Sequence, residues 1–491
     1  MNNYHKILTI ALLGTIGLTT ACKKDFLDKQ PISQGTVGNY YKTPGDAEGG
    51  LVGAYTEAFY SEYWVEDFTV NSDARADNCY AGSNNPDNIA IDNFTQTSRN
   101  GNTTRDWQLL YKHIYAANTV LDYVPKIAAQ QFAANRQQEI LSEAKFIRAL
   151  AYFQLVTTYG DAPLVLSTIT FQAKPSRAPV TAIYAQIEKD LTEAEAVLPV
   201  SFPAAGRATK GAVQALLAKV YAQEGKYQQC LDECNKVINS GQYSLVPNFA
   251  TLFDGTKNTK ESIFEIQHSA ASGFATFNTS LYLPAQFGTY SFLKFNIPTN
   301  DLINLYKSQN DNIRLNSSIF IAPVAPDGSA AGDPIPPPYT KASGSIPFLY
   351  KWKDNILPFT GGTDDIILLR LADIILLKAE AANQLGQTGD AIPLVNQIRA
   401  RVNLAPITVT TKADVALAIL TERRMELAFE GTRWNDLLRY GSQYTIDLMN
   451  KQIDPFGKPL VYNVTTNLLL FPVPYNEIQL DGNLSQNPGY Q

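Results

Sequence analysis

LLAKVYAQEGKYQQCLDECNKVI, Leu216 to Ile238, decides how the rest of this chain is read. Its first half places the small residues Ala215, Ala218 and Ala222 where they permit a second helix to approach closely. Gly225 supplies the turn, and Tyr227 opens a partner helix that runs back along the first. Cys230 and Cys234 fall i,i+4 on one face of that partner, with no local histidine beside them. They read as small buried hydrophobes rather than as metal ligands. A related pattern recurs at 376–402 as LLKAEAANQLGQTGDAIPLVNQIRARV, with a longer turn at Gly386 to Gly389. The two copies stand about 160 residues apart, too far for a tandem solenoid. Helix pairs are therefore expected to be scattered around inserted segments.

The Leu216–Ile238 hairpin resembles a tetratricopeptide helix pair, and further helices are legible around it. Thr43-Pro44-Gly45-Asp46 is a helix start, followed by Leu51, Ala54, Tyr55 and Ala58 at helical spacing. Trp107, Leu110, Tyr111, Ile114, Asn118 and Leu121 form one stripe, in which Asn118 needs a buried partner, expected to be backbone. A helix from about Arg136 to Tyr159 ends at Gly160-Asp161-Ala162-Pro163. Ile366 to Leu377 reads as a buried helix, preceded by Asp364-Asp365 as its N-cap. A C-terminal helix is expected from about Lys412 to Tyr440, with Leu420, Arg424, Leu427 and Gly431 on one stripe. Arg424 there implies a buried guanidinium paired with Glu426 or Glu430. Residues 69–104, dense in Asn, Asp, Ser and Gly, are expected to form a long loop. Ten of the 27 prolines lie between Pro284 and Pro358, so 269–362 reads as a loop-rich insertion with short strands.

The amino end has the parts of a secretory signal over residues 1–21: His5 and Lys6, an apolar run from Ile7 to Leu18, and small Thr19-Thr20-Ala21. Cys22 follows at once, as in a bacterial lipobox, where the new N-terminal cysteine is acylated. Residues 22–40 then read as a lipidated extended leader. Several acyl chains, at about 0.8 kcal/mol per buried methylene, fasten a protein to a membrane surface. Beyond the signal, no apolar run is long enough to span a bilayer. The net charge of −6 excludes nucleic acid, whose binding needs clustered Lys and Arg. Cys79, Cys230 and Cys234 cannot all pair, so no disulfide framework is expected.

CKKDFLDKQP after the signal, WQLLYKHIYAANTVL from Trp107, EAKFIRALAYFQLVTTYGDAPLV, ERRMELAFEGTRWNDLLRYG and the closing FPVPYNEIQLDGNLSQNPGY together resemble the SusD/RagB family. The resemblance covers essentially the whole mature chain. It implies a mainly α fold, with tetratricopeptide-like helix pairs forming a superhelical body and a loop-rich inserted subdomain containing short strands. The corresponding regions are 41–268 (helical, with binding loops), 269–362 (insertion) and 363–491 (helical region and tail). It also implies a lipid-anchored outer-membrane protein facing the cell exterior, and as partner a SusC-like TonB-dependent outer-membrane barrel over which the lipoprotein sits as a lid. The cargo implied is a glycan or oligosaccharide, sometimes a peptide.

No HExxH, Gly-x-Ser-x-Gly, phosphate-cradling glycine loop or Cys/His metal spacing occurs, so neither a catalytic residue nor a metal or other cofactor is expected. His113 and His268 read as structural. A sugar site needs flat aromatic faces for the C–H patches of the ring, with polar side chains around the rim. Two regions hold these ingredients: Trp64, Asp73, Arg75, Asp77, Asn78 and Tyr80, and Tyr290, Phe292, Tyr339 and Trp352. Besides glycan capture, the sequence leaves open peptide capture, a surface glycoside hydrolase built on a carboxylate pair such as Asp364-Asp365, and a protein-binding scaffold.

Overall fold

Thr43 starts the first helix of the computed structural model, which describes residues 40–170, 172–271, 273–276, 278–287, 294–353 and 362–490. Its hydroxyl accepts from the Asp46 N–H, and the Asp46 carboxylate accepts from the Thr43 N–H at 2.8 Å. This capping box, with Pro44 in the first turn, opens α1 (Pro44–Phe59). Signal segment, Cys22 and the leader as far as residue 39 lie outside the described residues, as do Tyr290 and Phe292.

After α1 come α2 (Pro86–Asp92), α3 (Gly101–Tyr123), α4 (Arg136–Tyr159), α5 (Val180–Glu195), α6 (Lys210–Gln223) and α7 (Tyr227–Asn239). Each packs on its successor from α3 to α7, and α1 lies against α3 and α4. Asn118 inside α3 finds the backbone partner its burial demands: Nδ2 donates to the Val165 carbonyl at 2.9 Å. Its Oδ1 accepts from Arg148, whose guanidinium also grips Asp190 at 2.7 Å and so ties α4 to α5.

The chain then leaves the helical body through β2 (Ser262–Ile266), after an earlier β1 (Cys79–Ala81). The insertion holds β3 (Asn296–Pro298), α8 (Asn300–Ser308), α9 (Asn312–Ser318), β4 (Ile319–Pro323), β5 (Ser329–Ala330), β6 (Asp333–Pro334) and β7 (Ser345–Leu349). The chain returns through β8 (Ile366–Arg370), which pairs antiparallel with β2, Ile266 opposite Ile366. Beyond it run α10 (Leu371–Gln384), α11 (Thr388–Arg401), α12 (Lys412–Glu426), α13 (Arg433–Tyr440) and α14 (Ser442–Met449). Helix α10 packs on α7, so the two hairpins that are distant in sequence stand side by side, with the insertion looped out between them. Helix makes up 54% of the structure and strand 9%, the strands forming four two-stranded sheets among the described residues, so the fold is mainly helical.

The buried apolar residues form one large cluster through the helical body. A second lies under α13 and α14, around Trp434, Leu437 and Tyr462. A third sits inside the insertion, where Tyr80, Ile297, Tyr339, Ile346 and Phe348 meet. β1 reaches this last cluster by pairing with β3, Tyr80 opposite Ile297.

Three expectations are corrected. Residues 69–104 are not one long loop. They contain a π-type turn at Val70–Ala74, following another at Tyr63–Asp67, then β1 and α2, because their Asp, Asn and Arg side chains are buried against distant partners. Ile366 to Leu377 is not a single helix. Its first five residues pair with β2, and Asp365, instead of capping a helix, accepts from the His268 N–H at 2.7 Å and the Lys257 ammonium at 2.7 Å. The helix expected from 412 to 440 breaks between Glu426 and Arg433, where Phe429 (φ 67°) and Gly431 (φ 69°) turn the chain. Arg424 therefore does not meet Glu426 or Glu430. It pairs with Asp301 at 2.7 Å and Asp77 at 3.2 Å, while positions i and i+2 point to different sides of α12.

Candidate functional site

The eight described residues singled out in the sequence are buried: Trp64, Asp73, Arg75, Asp77, Asn78, Tyr80, Tyr339 and Trp352 are each at most 5% exposed. The polar ones stitch the early chain to its C-terminal third. Asp77 takes a bidentate fork from Arg433 at 2.7 and 2.8 Å. Burial raises its carboxyl, but Arg424 and Arg433 more than offset this and hold it at about 2. Asp73 accepts from the Phe429 and Gly431 N–H groups and from Asn78, and so caps the turn between α12 and α13. Arg75 lies with its guanidinium over the rings of Phe471 (4.2 Å) and Trp434 (4.6 Å), and burial lowers it to about 10. Trp64 donates to the Ala58 carbonyl and Trp352 to that of Phe429. Tyr80 and Tyr339 do come together, ring centroids 6.1 Å apart, but as the floor of the insertion's core, their hydroxyls spent on Ile453 and Pro298 carbonyls. These buried side chains hold the scaffold.

A different aromatic group stands at the surface. Phe287, Phe320 and Tyr350 are half-buried. The Phe287 ring meets Phe320 at 4.9 Å and Tyr350 at 5.4 Å, and Phe320 lies 6.1 Å from Tyr350. Lys353 holds its ammonium 4.2 Å from the Tyr350 ring centroid. The register of β4 against β7 builds this platform: Phe320 sits opposite Phe348, whose fully buried ring anchors it to the insertion's core, and the Tyr350 N–H donates to the Ser318 carbonyl. None of the three is among the residues singled out in the sequence, because it is the pairing of β4 with β7 that brings them together.

A cleft of about 850 Å³, its open mouth included, lies on the helical body between the α5–α6 connection and β2. Phe202, Tyr243, Arg207, Asn258 and Lys260 line it, with Glu265 at its floor. Glu265 is joined by a hydrogen bond to Asp365, and burial, then the Asp365 charge, pushes it up to about 7. Asp67 and Asp106 form a second such buried pair under Arg105, with Asp67 held far above the usual carboxylate range by burial and by Asp106. Carboxyls in direct contact share a proton and leave no room for a glycosidic bond between them, since hydrolases hold theirs about 5–9.5 Å apart. Among the described residues no group of three His, Cys, Asp or Glu side chains is arranged to hold a metal, and no helix is long and apolar enough to cross a membrane. Cys79, Cys230 and Cys234 are free and buried.

Comparison with known proteins gives this architecture a place. A family model described as "SusD family" matches residues 331–490, and one described as "Starch-binding associating with outer membrane" matches residues 25–222. SusD-like protein P2 of Formosa agariphila is 25% identical, with 99% of each chain covered. The starch-binding protein SusD of Bacteroides thetaiotaomicron is 25% identical, covering 71% of this chain and 72% of its own. Among solved structures, a laminarin-binding SusD-like protein superposes with a TM-score of 0.77 at 27% identity, over 92% of this chain and 100% of its own. Two family models on the two ends of the chain, a relative matched over 99% of each chain and a superposition at a TM-score of 0.77 agree: the chain belongs to the SusD/RagB family.

Proposed function

We propose that this protein is a non-catalytic glycan-binding lipoprotein of the outer membrane that captures oligosaccharide and passes it to a SusC-like TonB-dependent barrel. The observation that carries the reading is the likeness, over 92% of the chain, to a protein that binds laminarin. The match to a family described as starch-binding and associated with the outer membrane supports it. The platform of Phe287, Phe320 and Tyr350 supplies the chemistry: half-buried rings, tilted or edge-on to one another, that offer apolar contact to the C–H patches of a pyranose, with the Lys353 ammonium over the Tyr350 ring to bind hydroxyls. Cys22 would carry the acyl chains, with the leader reaching from the bilayer to the body.

Affinity electrophoresis against laminarin, starch and other polysaccharides tests the binding. The protein is expected to be retarded by at least one polymer, and the Phe320→Ala/Tyr350→Ala variant to lose roughly 1–3 kcal/mol per ring removed. Equal retardation of both proteins would remove the platform from the site. Labelling with radioactive palmitate, abolished in Cys22→Ala, and co-purification of a barrel from membranes test the anchor and the partner.

A further inference from the structure

Arg207, Glu48, Glu143 and Arg136 neutralise one another beside the cleft on the helical body. Glu143 takes both guanidinium groups, Arg207 at 2.5 Å and Arg136 at 3.0 Å, and Glu48 joins them. On the opposite side Lys257 is spent on Asp365 at 2.7 Å. Lys260 remains: it is exposed, lines the cleft and has no carboxylate partner among the described residues. The acid that lines the cleft, Glu265, is buried at its floor, and burial pushes it up to about 7.

The walls are apolar where they are flat. Phe202 is held half-buried by the guanidinium groups of Arg207 (5.5 Å) and Arg136 (5.6 Å). Tyr243 is pressed over Gly211, where a Cβ would come within 2.2 Å of its hydroxyl, so its ring is fixed in place. Thr259 also lines the cleft, its hydroxyl buried behind the wall without a hydrogen-bond partner. Asn258 and Gln242 stand exposed at the mouth. Without its open mouth the cleft holds about 280 Å³, close to the lower end of the range for small-ligand sites.

We infer that this cleft is a second ligand site, separate from the platform on the insertion, which takes a sugar unit carrying a carboxylate or sulfate. The ring packs between Phe202 and Tyr243, the anion faces Lys260, and the sugar hydroxyls reach Asn258 and Gln242. The site is formed by the α5–α6 connection and the segment before β2, and shares no residue with the platform. It therefore goes beyond the reading of the platform and does not depend on it.

Isothermal titration of the full chain with glucuronate, glucose 6-sulfate and glucose, at low salt, tests the inference. At least one of the two anionic sugars is expected to bind about tenfold more tightly than glucose, and Lys260→Glu to abolish that preference. Glucuronate and the sulfate ester distinguish the two sources of the anion. The Phe320→Ala/Tyr350→Ala variant is expected to bind the anionic sugar as the parent does, which separates this site from the first. Lys260 is exposed, so its replacement leaves the fold intact, and Phe202→Ala provides an independent loss. Equal binding of glucose, preference retained in Lys260→Glu, no binding by either anionic sugar, or binding only of an acidic peptide such as triglutamate would each overturn the inference.

Discussion

Replacing Arg370 by methionine tests the idea that one neutral, buried charge network holds the two hairpins and the neck of the insertion together. Five carboxylates (Asp311, Glu261, Glu422, Glu426 and Glu430) interlock with five cations (Arg314, Arg370, Arg399, Arg401 and Lys351). Arg370, 1% exposed, sits at the end of β8 and reaches Glu261 at 2.9 Å, Glu426 at 2.6 Å and Glu430 at 2.6 Å. Burial alone would raise the Glu426 carboxyl, but Arg401, Arg370 and Arg314 hold it well below the ordinary range. Arg370→Met leaves five buried negative charges against four positive. Removing one partner of a buried pair costs about 3–5 kcal/mol. For a folded body of roughly 450 residues, ~2.1 cal/mol/K per residue gives about 1 kcal/mol/K, so Tm falls by about 3–5 °C. Glu430→Gln in the same chain restores neutrality, and the double variant is expected to recover at least ~1 kcal/mol relative to the sum of the single changes. Circular dichroism melts of the four proteins decide the matter. A shift below about 1 °C for Arg370→Met, or strict additivity in the cycle, would rule out a shared charge network at this position.

Two further outcomes are expected. Gly431→Ala places a Cβ 2.2 Å from the Phe68 ring at a φ of 69° and strains the turn that Asp73 caps. It is expected to cost about 2–5 kcal/mol, whereas Gly386→Ala, at a similar φ but in open space, costs only about 1–2. Equal melting temperatures for the two would remove the Phe68 contact from the argument. Stability is expected to fall as pH rises from 5 to 8. Burial pushes Glu66, Asp92 and Glu265 up to about 7, and Asp73 and Asp106 up to about 6, whereas the unfolded chain releases these protons near pH ~4. The folded state therefore holds extra protons between about pH 4 and 7, and each such group withdraws stability as pH climbs through that window. His113 and His268, lowered by burial to about 3 and about 4, act in the opposite sense up to pH ~6.5. The five carboxyls outnumber them, so a Tm higher at pH 8 than at pH 5 would contradict this assignment.

Helices were legible wherever one face had to be apolar at a spacing of 3.6 and a cap was local. Thr43 with Asp46, and the glycine stop after Tyr159, lie within a few residues of the turns they control. Ile366–Leu377 shows where such reading fails. An apolar run buried on all sides has no period, and what makes Ile366–Arg370 a strand is a partner a hundred residues earlier. The break after Glu426 is hidden for a similar reason. A chain with good helix formers leaves the helix because Asp73, some 350 residues upstream, supplies acceptors for the Phe429 and Gly431 N–H groups.

The site was harder to read because a ligand-binding loop and a buried polar strut have the same composition. Asp73, Arg75, Asp77 and Asn78 have the residue types that would surround a sugar. What turns them inward is Arg424, Arg433 and Trp434, which no local pattern connects to them. A buried carboxylate without Arg433 would be too costly to keep, so the pair decides the role of both residues at once. The aromatics obey the same logic. Trp64 and Trp352 can be buried because each indole N–H finds a carbonyl, on Ala58 and Phe429. Phenylalanine has no polar atom to satisfy, so its exposure is set by register alone. With Phe320 opposite Phe348, the buried ring lies over the insertion's core and its partner is left half-covered against Phe287 and Tyr350. Shifting β4 by one residue would put Ile321 in that place and dissolve the platform, which makes the β4–β7 register, and not any motif, the feature on which the proposed ligand contact depends.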